Sequence, residues 1–365
     1  MSNSCDIVTT HSTFANSNEE TIELLSMSNY VLILDEVLDI LTDFNKVVNE
    51  QRQTVSIEDI KMLQDENLIT IDQYNKVKWI GKSYVGGKFS EVERLAKRGN
   101  LLLLDNNLFV WEFPYEIFAL FKEVYVLTYM FDGSYLKPFF EYHDIPYELK
   151  GVVKTDDKEY VLTPYTSDVL KRQRYKNLIH VHNDDNMNNY KDAQLSKNWF
   201  VKNCRKEKDT PAAIKLRNNL YNYFQNIQKA KVDEIMWTCP SDYYKRIKGK
   251  GFTEYTEIIR DEDGNEIKTK QKCFLPCNAR ASNLYQQRHV LAYCINLNAN
   301  PALCHYLSGK NSEGKNISVD LDAFSASCMI QWIWRSRIRN GQPIDIYIPS
   351  TRMRNLLFKW IEGDI

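Results

Sequence analysis

No G-x-x-x-x-G-K-S/T phosphate-binding loop occurs anywhere in the 365 residues, so the chain carries no Walker-type cradle of its own. Long apolar runs are missing too. No stretch reaches eighteen apolar residues, and the polar start Met-Ser-Asn-Ser is no charged-then-apolar leader, which excludes a membrane-spanning helix and a secretory signal and predicts a soluble, cytoplasmic protein with no membrane partner. Nor is one sign of charge in excess: 47 Lys and Arg against 48 Asp and Glu leave a formal net charge of -1, and any nucleic-acid surface must then be a local patch. The chain has eight cysteines but no C-x-x-C pair. Reduced thiols are the default for a large chain without an export signal. Cys273-Phe-Leu-Pro-Cys277 is the only close pair, and neither Cys239 nor His289 stands at zinc-ligand spacing from it. No internal repeat is visible.

What is present is enough apolar sequence, 43% of the residues, for a large core, and the length favours two domains. Strand and helix alternate through the first 150 residues: a short strand at 5–10, a helix at 18–27, and the continuous apolar strand that begins Tyr30-Val-Leu-Ile-Leu. Such alternation predicts a parallel sheet covered by helices. Residues 54–113 read as an α+β insertion. Ser56-Ile-Glu-Asp59 has capping-box spacing, residues 68–80 alternate like a strand, and Asp105-Asn-Asn107 centres a hairpin between two apolar runs. A helix at 115–123 and a buried strand at 124–129 resume the sheet. The polar stretch at 150–195 marks a domain boundary near 150–160. Beyond it we expect helices at 212–228, 283–297, 320–339 and 351–361, strands at 233–238, 274–277 and 344–348, and a hairpin at 257–272 turning at Asp263-Gly264.

Asp35 and Glu36 are the first candidates for chemistry. A carboxylate at the end of a buried strand can hold magnesium through water, and its neighbour can orient or deprotonate an attacking water. Either could equally cap a helix starting near Leu38. Thr128, at the end of a second apolar strand, could sense a bound nucleotide by hydrogen bonding the Asp-Glu pair, or be an ordinary strand threonine. Near the C-terminus Gln331, Arg335 and Arg339 fall at i, i+4 and i+8, one face of a predicted helix. Arginines on a rigid helix suit phosphoryl-transfer chemistry, although a solvated amphipathic face gives the same pattern. Arg352 and Arg354 open the next helix and add to a local basic patch suited to phosphates. Cys277-Asn-Ala-Arg-Ala-Ser-Asn283 sits at a strand-to-helix junction, where Asn278, Arg280 and Asn283 could donate to a phosphate backbone and Ser282 could be a helix cap. Lys248-Gly-Lys-Gly251 has the wrong spacing for a phosphate loop.

In this order the segments resemble the motifs of superfamily-2 helicases of the DEAD/DEAH type. Thr9-Thr-His-Ser-Thr13 is similar to the segment that touches the nucleic-acid backbone, Leu34-Asp-Glu-Val37 to motif II, Leu127-Thr-Tyr129 to motif III, residues 278–283 to motif V and residues 331–339 to motif VI. The block through Tyr347-Ile-Pro-Ser-Thr-Arg-Met-Arg354 resembles helicase-like proteins of bacteriophages and prophages. The resemblance implies two RecA-like parallel-sheet domains in tandem, 1–150 and 151–365, the first truncated at its N-terminus and interrupted by the insertion. It implies ATP and Mg2+ as cofactors, with Asp35 on the metal. Glu36, Arg335 and Arg339 would be catalytic, and Gln331 and Thr128 would contact nucleotide between the domains. Thr10, His11, Asn278, Arg280, Asn283, Arg352 and Arg354 would lie on DNA or, second, RNA. The pattern departs from the family where motif I is absent and where residue 338 is isoleucine, not arginine. A separate chain supplying the phosphate loop is one way to reconcile this. Two other readings remain: a non-hydrolysing nucleic-acid-binding relative, and a phage packaging motor, which would be expected to bring a nuclease domain with clustered carboxylates.

Overall fold

Apolar residues in unbroken succession need cover on both faces, which is the environment of a parallel sheet. Strand β1 (Val31–Asp35) pairs in parallel with β2 (Glu123–Leu127), Asp35 opposite Leu127. The computed structural model describes residues 5–44, 55–83, 87–167, 169–190, 195–205, 209–260, 266–279 and 283–365. Its contacts divide the chain into two units, Met1–Tyr147 with Asn300–Asp320, and Glu148–Ala299 with Leu321–Ile365.

In the first unit, the chain between β1 and β2 folds as the sequence pattern anticipates, around a core of its own. Ser56 and Asp59 form the reciprocal capping box that starts the helix Ile57–Asp65. Residues 68–80, expected as one strand, fold back as a hairpin of Ile69–Ile71 and Val77–Trp79. Leu101–Leu104 pairs with Leu108–Glu112, and Asp105 and Asn106 both take positive φ (49° and 54°) at the turn, a conformation that Asp and Asn tolerate. Ile60, Leu63, Val77, Val92, Leu101 and Phe109 are fully buried in this module. Residues 5–10 differ from expectation: they form no strand, with the Cys5 carbonyl accepting from Tyr30 Oη at 3.1 Å.

Residues 300–320 were expected in the second domain but join the first unit. Their apolar residues Leu303, Tyr306, Leu307 and Ile317 are buried, and polar groups fix the segment in place. Tyr306 Oη donates to the buried Glu112 carboxylate at 2.6 Å, the Asn300 N–H donates to Tyr135 Oη at 2.8 Å, and Lys315 pairs with Glu141 at 2.8 Å. Burial and the adjoining Glu112 push the Tyr306 hydroxyl well above the ordinary phenol range. His143 Nε2 lies 3.2 Å from the same carboxylate oxygen.

The second unit is built on four parallel strands: β3 (Ile179–His182), β4 (Ile235–Thr238), β5 (Val290–Tyr293) and β6 (Ile344–Tyr347), in the spatial order β3-β6-β5-β4. The connection from β3 to β4 crosses the whole sheet, and β4 to β5 to β6 steps back. With right-handed crossovers the two directions put their helices on opposite faces. Strand β5 replaces the expected helix at 283–297. Its four residues are all buried, and an apolar run of that length reads the same in sequence as a buried helical turn. Helix α1 (Pro211–Tyr221) continues as a π-helical turn, Asn222–Ile227. Helix α2 (Leu321–Ile333) precedes β6 and α3 (Thr351–Glu362) follows it. Two antiparallel hairpins, Lys150–Lys154 with Tyr160–Pro164 and Glu254–Arg260 with Glu266–Lys272, stand outside the sheet. The expected turn at Asp263-Gly264 lies outside the described residues. Among the described residues no helix is long and apolar enough to cross a membrane.

Tyr306→Phe should cost the first unit about 1–3 kcal/mol, because it removes a donor from a buried carboxylate. A urea midpoint lowered at unchanged slope is the expected result.

Candidate functional site

The carboxyl end of β1 brings together the first group of candidates. Asp35 and Glu36 are both exposed, and the Glu36 N–H donates to the Leu127 carbonyl at 3.0 Å. The ladder therefore sets Thr128 beside Glu36. No helix starts near Leu38; residues 37–40 are irregular and lead into the strand Leu41–Asp43, so the capping role for Asp35 or Glu36 is removed. Glu36 also holds φ at 78°. A side chain other than glycine, asparagine or aspartate in the left-handed region is strained by about 1–3 kcal/mol, and such residues cluster at functional sites. Thr10, by contrast, has local work: its Oγ1 accepts from the Thr13 N–H at 3.1 Å and caps the helix His11–Ala15, whose first residue is the half-buried His11.

The expected arginine helix is not continuous. Helix α2 stops at Ile333, where the buried Ser336 hydroxyl donates to the Ile333 carbonyl at 2.7 Å. A hydroxyl bonding back to the helix competes with its next turn. Residues Arg337–Asn340 then form a 3-10 turn closed by Gly341 at φ 71°. Gln331, Arg335 and Arg339 thus do not share one helix face. Gln331 is exposed on α2 and donates to Ser327 Oγ at 3.1 Å, Arg335 follows the helix, and Arg339 lies in the 3-10 turn. Arg339 Nη1 donates to Asn283 Oδ1 at 2.9 Å, so two expected contacts, one from each of the two motifs, do meet. Asn278 is exposed, and Arg280 and Ser282 lie outside the described residues.

Arg352 and Arg354 are occupied within the second unit. Arg352 Nη1 donates to the Leu297 carbonyl at 2.9 Å, and Nη2 to Asp322 Oδ1 at 2.9 Å and Ser325 Oγ at 3.0 Å. Arg354 Nη1 donates to the carbonyls of Ile348 at 2.7 Å and Pro349 at 3.1 Å. These guanidiniums hold the loops after β5 and β6. Sequence spacing shows the charges but not these acceptors, which for Arg352 come from distant segments and for Arg354 from the loop just before its helix.

The second unit has its own collecting point, missed by the sequence reading. Each of its four strands ends in a polar residue: His182, Thr238, Tyr293 and Tyr347. Chains leave β3 and β6 for opposite faces, so their adjacent carboxyl ends are the topological switch point, the usual place for a ligand crevice in an open α/β sheet. The rings of His182, Tyr223 and Tyr347 gather there with centroids 5.3–5.9 Å apart. Tyr347 Oη donates to the Met187 carbonyl at 2.7 Å, and Asn219 Nδ2 to Tyr190 Oη at 2.7 Å. His182 Nε2, Asn188 Oδ1 and Tyr223 Oη are buried without a partner. Tyr223 and Phe224, both buried, lie in the π-helical turn. Burial lowers the His182 pKa from its ordinary 6.5, partly offset by Asp184.

Among the described residues no group of three or more His, Cys, Asp or Glu could hold a metal. Cys273 is buried, with its thiol donating to the Val232 carbonyl and its pKa pushed up to about 12 by desolvation, which opposes the thiolate a zinc site needs.

Two results are expected. Arg352→Ala should lose about 1.5–3 kcal/mol of stability in thermal melts, while the salt dependence of any nucleic-acid binding stays unchanged. The folded chain keeps His182 neutral to lower pH than the unfolded chain does, so stability should fall as pH drops below about 6.5. His182→Gln should flatten that slope in denaturation curves taken across the window.

Comparison with known proteins adds the following. The family model described as the YonV C-terminal Rossmann-like domain matches residues 173–361, and that of the YonV middle domain matches residues 50–111. The SPbeta prophage-derived protein YonV of Bacillus subtilis (strain 168) is 37% identical over 368 residues, covering 98% of this chain and 80% of that protein. No solved structure matches. The α/β expectation holds for the second unit as a Rossmann-like domain, and the phage association holds through this relative.

Proposed function

The chain belongs to the YonV family of prophage-associated proteins, and on that footing we propose that it serves a nucleic-acid-dependent, ATP-driven motor of the helicase or translocase class, built on two RecA-like domains. The observation that carries the reading is Glu36. It is an exposed, strained carboxylate at the carboxyl end of a parallel strand, next to Asp35 and Thr128, in a place where it caps no helix.

The residues present suit a magnesium nucleotide in part. Two exposed carboxylates at a strand end offer the hard oxygen donors that Mg2+ takes while keeping most of its waters. The ion would neutralise phosphate charge. Asp35 is assigned to holding it, Glu36 to orienting and deprotonating water, and Thr128 to registering the nucleotide. In the second unit, Gln331, Arg335 and the Arg339–Asn283 pair are assigned to phosphate recognition, and Asn278 to the nucleic-acid backbone, with DNA before RNA. Thr10, Arg352 and Arg354 leave the proposed contact set, because their side chains serve helix and loop structure. This chain lacks a phosphate-binding loop, so ATP turnover requires that loop from another polypeptide segment. The same absence favours, as the second reading, a nucleic-acid-binding relative that does not hydrolyse ATP.

The test is ATP hydrolysis with and without single-stranded DNA, by this chain and by the longer Bacillus subtilis relative, with the substitution made at the aligned position in the latter. Glu36→Gln should lower turnover by about 100-fold or more with DNA affinity retained. Unchanged turnover in that variant would falsify the motor assignment. Salt-dependent DNA binding with no ATP hydrolysis by either this chain or the longer relative selects the second reading.

A further inference from the structure

A two-stranded parallel sheet does not stand alone, because parallel pairs are found with both faces covered and isolated two-stranded sheets are marginal in water. The β1–β2 pair has one covered face, anchored by the buried Leu34. On the opposite face Val31 is 43%, Ile33 64% and Leu127 53% exposed. In-register parallel pairing sets these three on the same side, with Asp35 at the end of the row.

The edges differ. Tyr30 Oη, just ahead of β1, holds the Cys5 carbonyl. On the β2 side no strand pairs with Glu123–Leu127 among the described residues. The Lys122 N–H donates to the Tyr30 carbonyl, and the Leu127 carbonyl accepts from Glu36. A strand residue points its N–H and C=O to the same edge, so with the Leu127 carbonyl on β1 the N–H groups of Glu123, Tyr125 and Leu127 face β1 and those of Val124 and Val126 face outward. An apolar strand with a free row of donors is a template for another strand.

We infer that the outer edge of β2, with the exposed face carrying Val31, Ile33 and Leu127, is a docking surface for a polypeptide segment of α/β character. The segment adds a parallel strand to β2 and lays the apolar side of a helix over the face. The occupant corresponds to chain that the Bacillus subtilis relative possesses outside the match: about a fifth of that protein, room for a strand–helix–strand unit of about 30 residues or more. A second copy of this chain is a poorer fit, since its own β2 edge would meet this one in an antiparallel, two-fold arrangement. The surface stands on backbone geometry and exposure, independent of ATP chemistry, so its failure and that of the motor reading are separable.

The experiment is residue-resolved amide hydrogen exchange on this chain and on the full-length Bacillus protein, with sedimentation to fix the oligomeric state of each. In this chain, as a monomer, Val124 and Val126 should exchange at least tenfold faster than Tyr125 and Leu127. In the longer protein the aligned positions should all be slow, and the change matching Ile33→Glu should restore the fast set. Val152→Glu, at an exposed apolar position of the second unit, is the control that should leave exchange in β2 unchanged. Fast exchange at the outward amides of the longer protein overturns the proposal. So does slow exchange in this chain as a dimer that Ile33→Glu dissociates, which identifies a second copy as the occupant.

Discussion

Parallel pairing is the constraint from which both units follow. Parallel strands cannot be joined by a tight turn, so every such pair forces a long crossover. In the second unit helices α1 and α2 lie in the crossovers from β3 to β4 and from β5 to β6, while the antiparallel hairpin Glu254–Arg260 with Glu266–Lys272 lies in that from β4 to β5. In the first unit the crossover from β1 to β2 has grown into a module with its own core. The same rule collects the carboxyl ends of strands, and hence residues far apart in sequence, along one edge. Asp35 meets Leu127 in this way, with Glu36 and Thr128 next along the two chains, and His182 meets Tyr347.

How much of this was legible depended on whether a signal was local. The capping box at Ser56, the positive-φ turn at Asp105 and the apolar run before Asp35 each carry their meaning within a few residues, and each formed where the sequence placed it. Strand β5 and the end of α2 were not legible in that way. Val290–Tyr293 is apolar throughout, so periodicity could not choose strand over helix, and only the central position in the sheet decides it. Helix α2 ends where the buried Ser336 hydroxyl bonds the Ile333 carbonyl, between the buried Ile333 and Ile338.

The arginines show the limit of reading charge from spacing. Arg352 and Arg354 looked like a basic patch because the sequence displays cations and hides acceptors. In the fold their partners are carbonyls and side chains from the loops after β5 and β6, and Asp322 at the start of α2. Arg288 is the converse. It is buried, donating to Tyr255 Oη at 2.9 Å and packed on the rings of Tyr255 and Tyr285, and nothing in the local sequence set it apart. Asn283 with Arg339 lies between these cases: the residues were chosen separately, and the fold brought them into one hydrogen bond.

The strand Leu41–Asp43, where the chain enters the module between β1 and β2, is hydrogen bonded side by side with Leu108–Glu112, where it leaves. A module whose entrance and exit are already clamped together asks nothing of the sheet that carries it. Its length and contents can change through evolution, or be exchanged by grafting at that neck, without altering the spacing of β1 and β2 or the residues at their ends. The separate family match over residues 50–111 follows the outline of such a graft.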